Sequence, residues 1–263
     1  MKQLRVVSFV FLAAFVCAGK LEAQTFKGMS LNGSTGLYSI PSGSTGWDTS
    51  SFGLDFGYHA IIRDNRATHI PKITVSLFKW VELSAAFDFQ PEGFSDNDFL
   101  GGAKIQFPLK KTALAIGGNY QALNLSGDGG TRRDAGQVYI ATSYSGHFFD
   151  MPAETTVVIG KTFGSGVNNW DIDFGMGFNM ILFPNQLGSI LHWVIDISNF
   201  SYSVEPYGAD PFYRGVLNVG LRFDLSQIKP LNKFKFLIDV FLTDAFDEGR
   251  GFSLGAVFGL PIM

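Results

Sequence analysis

Cysteine is all but missing from this chain: the only one among 263 residues is Cys17, inside the first apolar stretch. That leaves no partner for an internal disulfide. Val16 precedes it where a lipid-anchor site wants a small residue, which argues against a lipoprotein. Charge is also sparse, at 16% of residues, and balanced at 20 Lys+Arg against 23 Asp+Glu. A nucleic-acid binder would show a basic face, so no nucleic-acid partner is expected. After Ala23 no apolar run of about 18 residues remains, which excludes a helical membrane span.

Chemistry-bearing patterns are scarce as well. The histidines are His59, His69, His147 and His192. His192 lies near Ser198 and Asn199, but no compact His/Ser arrangement of a nucleophile and its base stands out, so no enzyme and no catalytic residue is expected. Asp171-x-Asp173 would face one way on a strand, yet a metal wants further ligands, and no metal site is expected. The loops Ser126–Gly130 and Asp244–Glu248 do not fit a twelve-residue calcium loop, and no phosphate-cradling Gly-Lys motif occurs. No cofactor is implied.

What the chain does have is 27 Phe and 31 Gly, with aromatics at 15%. It opens as an export signal: Lys2 and Arg5, then about 13 apolar residues from Val6 to Ala18. Leu21-Glu22-Ala23 offers a cut before Gln24. Residues 1–23 are read as a signal peptide, leaving 17 basic against 22 acidic residues. Residues 24–50 form an irregular Ser/Gly/Thr-rich segment, periplasmic or touching the lumen.

From Ser51 the apolar residues fall on every second position. Phe52, Leu54, Phe56, Tyr58 and Ala60 alternate with Ser51, Gly53, Asp55, Gly57 and His59. Side chains on a strand alternate faces, so one face is apolar and the other small or polar. The beat returns through Val81–Gln90, Phe99–Phe107, Trp170–Leu182, Leu217–Asp224, Phe234–Thr243 and Phe252–Leu260. It is blurred at 154–163, where Val157 and Val158 are adjacent. The 145–153 connection reads as longer than a tight turn. The sum is about twelve strands of about ten residues, the length that crosses a bilayer at a tilt.

A soluble secreted β-sandwich also alternates, but its strands are nearer five or six residues. Here the apolar face is heavily aromatic and the opposite face carries charge in mid-strand. The fold class is therefore all-β: a transmembrane antiparallel β-barrel of about twelve strands over 51–263, in contact with outer-membrane lipid in a diderm bacterium.

Two resemblances follow. Ser253-Leu254-Gly255-Ala256-Val257-Phe258-Gly259-Leu260 resembles the carboxy-terminal recognition strand of outer-membrane barrels, which implies the barrel-assembly machinery as a partner. Ser34-Thr35-Gly36-Leu37-Tyr38-Ser39-Ile40-Pro41-Ser42, followed by Phe52 to His59, looks like the opening of small barrels of the YjbH-like type.

The polar face supplies the candidate pore wall: Asp55, His59, Lys72, Glu82, Asp88, Lys104, Asp171, Asp173, Asp196, Arg222 and Asp239. The leading expectation is a narrow porin-like channel for small hydrophilic solutes. The alternatives are a non-conducting structural or surface-exposed barrel, and the secreted sandwich.

Overall fold

A computed structural model describes residues 28–47, 50–63, 66–89, 97–125, 132–164, 172–199, 215–228, 231–247 and 250–262. The signal peptide lies outside them. Twelve strands run β1 (Phe52–Arg63), β2 (Arg66–Leu77), β3 (Val81–Asp88), β4 (Asp98–Pro108), β5 (Thr112–Leu123) and β6 (Arg133–Phe148), then β7 (Met151–Gly164), β8 (Asp173–Ile181), β9 (Leu191–Ser198), β10 (Val216–Asp224), β11 (Lys235–Thr243) and β12 (Gly251–Pro261). Each pairs antiparallel with its sequence neighbour, and β1 pairs with β12, so the sheet closes into a barrel. Closure leaves no unpaired strand edge, the condition for crossing hydrocarbon.

The period-two pattern sets the two faces. Phe56, Ile105, Ile116, Ile140 and Phe258 point outward and are exposed, while Asp55, Lys104, Asp196 and Asp239 point inward and are buried. An apolar exterior of this extent is stable only against lipid. The closed antiparallel barrel, with an even strand number and both ends of its sheet at one rim, has the build of the bacterial outer membrane, where this protein resides.

Three of the five connections at that rim, β2–β3, β4–β5 and β6–β7, are only two or three residues long, which marks it as the periplasmic one. The β2–β3 turn has Phe78 and Lys79 at φ 53° and 67°. The β6–β7 turn has Phe149 and Asp150 at φ 46° and 63°. At β6–β7, where only these two residues join the strands, positive φ at both matches the twist of a two-residue hairpin, and Trp80 adds a third residue to the β2–β3 turn. The connection read as long at 145–153 is thus a two-residue turn, because β6 and β7 extend to Phe148 and from Met151. A single helical turn, Pro184–Leu187, joins β8 to β9, and two 3-10 turns, Leu225–Gln227 and Leu231–Lys233, join β10 to β11.

The blurred beat at 154–163 has a cause. Val157 faces outward, but Val158 faces inward into a hydrophobic cluster and is fully buried. The inner face of β7 is not uniformly polar because something apolar packs against it.

Candidate functional site: a sealed lumen

That apolar partner is the segment preceding the barrel. Residues 28–47 lie inside the lumen and every one of them is buried. Leu31, Leu37, Tyr38 and Ile40 join Ile61, Ile70, Leu100, Val158, Val194 and Phe241 of the wall in one cluster. The Tyr38 ring stacks on Phe241 at 4.4 Å and meets the His59 ring edge-on at 5.8 Å. Burial also drives the Tyr38 hydroxyl pKa well above its ordinary value.

The segment folds on itself through isolated bridges, Met29 to Thr35 and Gly36 to Pro41. The Leu31 amide donates to the Tyr38 carbonyl at 2.8 Å, and the Ser42 amide to the Thr35 carbonyl at 2.9 Å. These few internal bonds leave many backbone groups unmet, and a buried amide without a partner is costly. The wall meets them.

Glu82 is the main anchor. It accepts hydrogen bonds from Ser34 Oγ (2.9 Å), the Thr35 amide (2.8 Å), Thr35 Oγ1 (2.6 Å) and the Gly46 amide (3.1 Å). Opposite it on β4, Lys104 Nζ lies 3.1 Å from Glu82 and donates to the carbonyls of Thr35 (2.8 Å) and Ser42 (3.3 Å). Asp196 on β9 is the second anchor, accepting from the amides of Tyr38 and Ser39 at 2.9 and 2.8 Å, from Ser39 Oγ at 2.8 Å and from Asn218 Nδ2 at 2.8 Å. Lys72 Nζ donates to the Ser30 carbonyl at 2.7 Å. At the periplasmic rim Trp47 Nε1 donates to Asp55 at 2.9 Å, and Lys235 completes that carboxylate at 2.6 Å.

A third charged group sits at mid-height. Arg222 grips Asp239 with two parallel bonds, Nε at 2.7 Å and Nη2 at 2.9 Å, and His59 Nε2 lies 3.3 Å from the same carboxylate. Arg222 Nη1 also reaches the Gly36 carbonyl at 3.4 Å. Bidentate pairing of this kind is the geometry that sustains an ion pair away from water.

Small wall residues make the space. A β-carbon on Gly53 would lie 2.1 Å from the Trp47 ring, and one on Gly57 would lie 2.4 Å from Met29 Sδ.

Ten of the eleven candidate wall residues therefore face inward and are buried, and Asp171 lies outside the described residues. Asp55, Lys72, Glu82, Lys104, Asp196 and Arg222 touch segment 28–47 directly. His59 and Asp239 are grouped with Arg222, whereas Asp88 and Asp173 lie nearer the outer rim. There Asp88 bonds Thr68, and Asp173 accepts from Thr162 Oγ1 at 2.5 Å. Sequence reasoning missed Glu154, hidden in the blurred strand, and Gln106 and Ser143, which hold Thr45 and Gly43. A usable signal existed for the lumen filler itself: Leu31, Leu37, Tyr38, Ile40 and Trp47 lie among Ser and Gly with no charged residue from 28 to 47.

No known protein family matches the chain, and no curated protein does. Among solved structures it is similar to the KdgM porin, with 8% identity, 78% of this chain and 98% of that one covered, and a TM-score of 0.49. It is similar to the outer membrane protein Omp33 of Acinetobacter baumannii, with 10% identity, 81% and 98% covered, and a TM-score of 0.47. It is also similar to LpxR from Salmonella typhimurium, with 8% identity, 79% and 99% covered, and a TM-score of 0.45. The expected likeness to the YjbH-like type is not supported: the structures found are barrels of other kinds.

Proposed function

We propose that this protein is an outer-membrane channel for small hydrophilic solutes that its own residues 28–47 hold shut at rest. The single observation that carries this reading is the seating of an uncharged segment on charged wall groups, with Glu82 and Asp196 each accepting three or more bonds from it. A wall built only to fill a barrel is better made of apolar side chains, because burying charge costs more than packing of equal volume returns. Charge retained under a neutral cover fits a lining that meets water when the cover moves. Twelve strands enclose a lumen between the filled eight-stranded and the water-filled sixteen-stranded cases, wide enough to conduct once emptied.

Planar-bilayer conductance tests the reading. The full chain should stay closed, and a variant lacking residues 28–47 should give steady steps. Ser39 and Ser198 have their hydroxyl oxygens 3.5 Å apart, so a Ser39→Cys/Ser198→Cys pair should tie the segment to β9 when oxidised and suppress any openings. Equal, steady conductance of the full and shortened chains would remove the gate. Silence of a folded shortened chain would leave the protein a structural barrel.

A further inference from the structure

Three buried polar atoms meet where the seated segment touches the seam of the sheet. Tyr38 Oη, Ser253 Oγ and His59 Nδ1 have no hydrogen-bond partner among the described residues, and all three side chains are buried. A buried polar atom left alone forfeits its hydration, so such atoms nearly always have a partner. The fold brings the three together. The Tyr38 ring stacks on Phe241 and meets the His59 ring edge-on. Ser253 on β12 stands opposite Phe241 on β11 and Ile61 on β1. It is the next inward position to Gly255, over which the His59 ring lies. Ser253 is near enough to bear on the ionisation of the Tyr38 hydroxyl, although the two oxygens do not reach hydrogen-bond geometry. His59 Nε2 faces the Asp239 carboxylate that Arg222 grips, which places the ring hydrogen on Nε2. In the neutral ring Nδ1 is then an acceptor. The inward residues of β12 at this height, Gly251, Ser253 and Gly255, are all small, and they set the wall back.

We infer that a single buried water sits among Tyr38 Oη, Ser253 Oγ and His59 Nδ1 and bonds the seated segment to both strands of the closing pair. Water fits the three atoms: it accepts from the Tyr38 hydroxyl and donates to His59 Nδ1 and to Ser253 Oγ. Buried waters typically make about three such bonds. An apolar guest would leave all three atoms unmet. The seal of the lumen is then wet at one point, and Tyr38 is held there by a bond as well as by stacking. The inference needs only the seated segment, and it stands or falls apart from the channel.

The test is limited proteolysis of segment 28–47 in the full chain, whose rate follows the unseated population when reseating is fast. With the water in place, Tyr38→Phe and Ser253→Ala each remove one of its partners, and each should speed cleavage about two- to tenfold. The double variant should fall short of the product of the two single effects, because one shared water is lost only once. If the atoms stand alone, deleting a hydroxyl relieves a desolvation cost. Cleavage that slows or stays unchanged in the single variants therefore overturns the inference. Effects that multiply in full overturn the shared water, since each hydroxyl then has a partner of its own. A crystal structure of the unaltered chain is the second measurement and covers a variant that does not fold. A solvent peak within hydrogen-bond distance of all three atoms is expected, and a site without one overturns the inference.

Discussion

The two halves of the lumen solve one problem in different ways. In the periplasmic half and the centre, wall charges are satisfied by a separate piece of chain. In the outer half, from β5 to β8, the wall satisfies itself. Asn119 Nδ2 and Gln121 Nε2 donate to Gln137 Oε1 at 3.3 and 3.2 Å. Gln137 Nε2 donates to Thr162 Oγ1 at 2.9 Å, and Thr162 Oγ1 in turn donates to Asp173 Oδ2. A self-satisfied ladder is indifferent to what lies in the lumen, and a wall that needs a partner is not. A movable cover is therefore to be sought where the bonds cross from wall to segment.

The largest effect should come from deleting residues 28–47. It removes Leu31, Leu37, Tyr38 and Ile40 from the core, at about 1.5–3 kcal/mol for each fully buried side chain. The inter-strand ladder is untouched, so the barrel should still migrate differently unboiled and boiled, with the transition at a much lower temperature. Loss of the unboiled form altogether would mean that the segment builds the barrel, and the contrast between the two halves would collapse.

Next comes Glu82→Ala, which strands Lys104 in a buried site and removes the acceptor of four segment bonds. Breaking a buried pair from one side costs about 3–5 kcal/mol. Adding Lys104→Met should restore part of that loss, and a double-mutant cycle on the heat transition measures how much. Asp196→Asn keeps the shape and removes the charge, at about 1–3 kcal/mol. Limited proteolysis should then cut segment 28–47 faster while leaving the strands intact. The smallest effect belongs to Gln137→Leu, about 1 kcal/mol or less against the global transition. It should leave cleavage of the segment unchanged. If it speeds cleavage as much as Asp196→Asn does, the two halves are one coupled network.

Much of this architecture is legible in the sequence, and the parts that are not share a physical cause. Strands such as β1, β4 and β12 keep a clear beat because their inward residues are mostly glycine or polar, with Ile61, Leu100 and Val257 as the apolar residues turned into the lumen. β7 does not, because Val158 packs on the lumen filler. The inward direction of Asp55, Lys104, Asp196 and Asp239 follows from the same alternation. Their partners do not, since Glu82 and Thr35 are 47 residues apart and periodicity carries no information on contacts across a lumen. Gly53 and Gly57 read as small wall residues, and only the fold reveals Trp47 and Met29 in the space they leave.

Trp47 has one further consequence, for the order of assembly. Its indole lies against Gly53 and Asp55 of the first strand, Gly259 of the last and Lys235 of the one before it, with Lys235 Nζ 5.0 Å from the ring centroid. It sits on the seam where the ends of the sheet meet, the last pairing a growing barrel can make. A residue made before any strand is thus placed where it touches both sides of the β1–β12 pairing. Replacing Trp47 should slow the appearance of the heat-resistant form more than it lowers that form's stability, since the seam bonds exist in full once made.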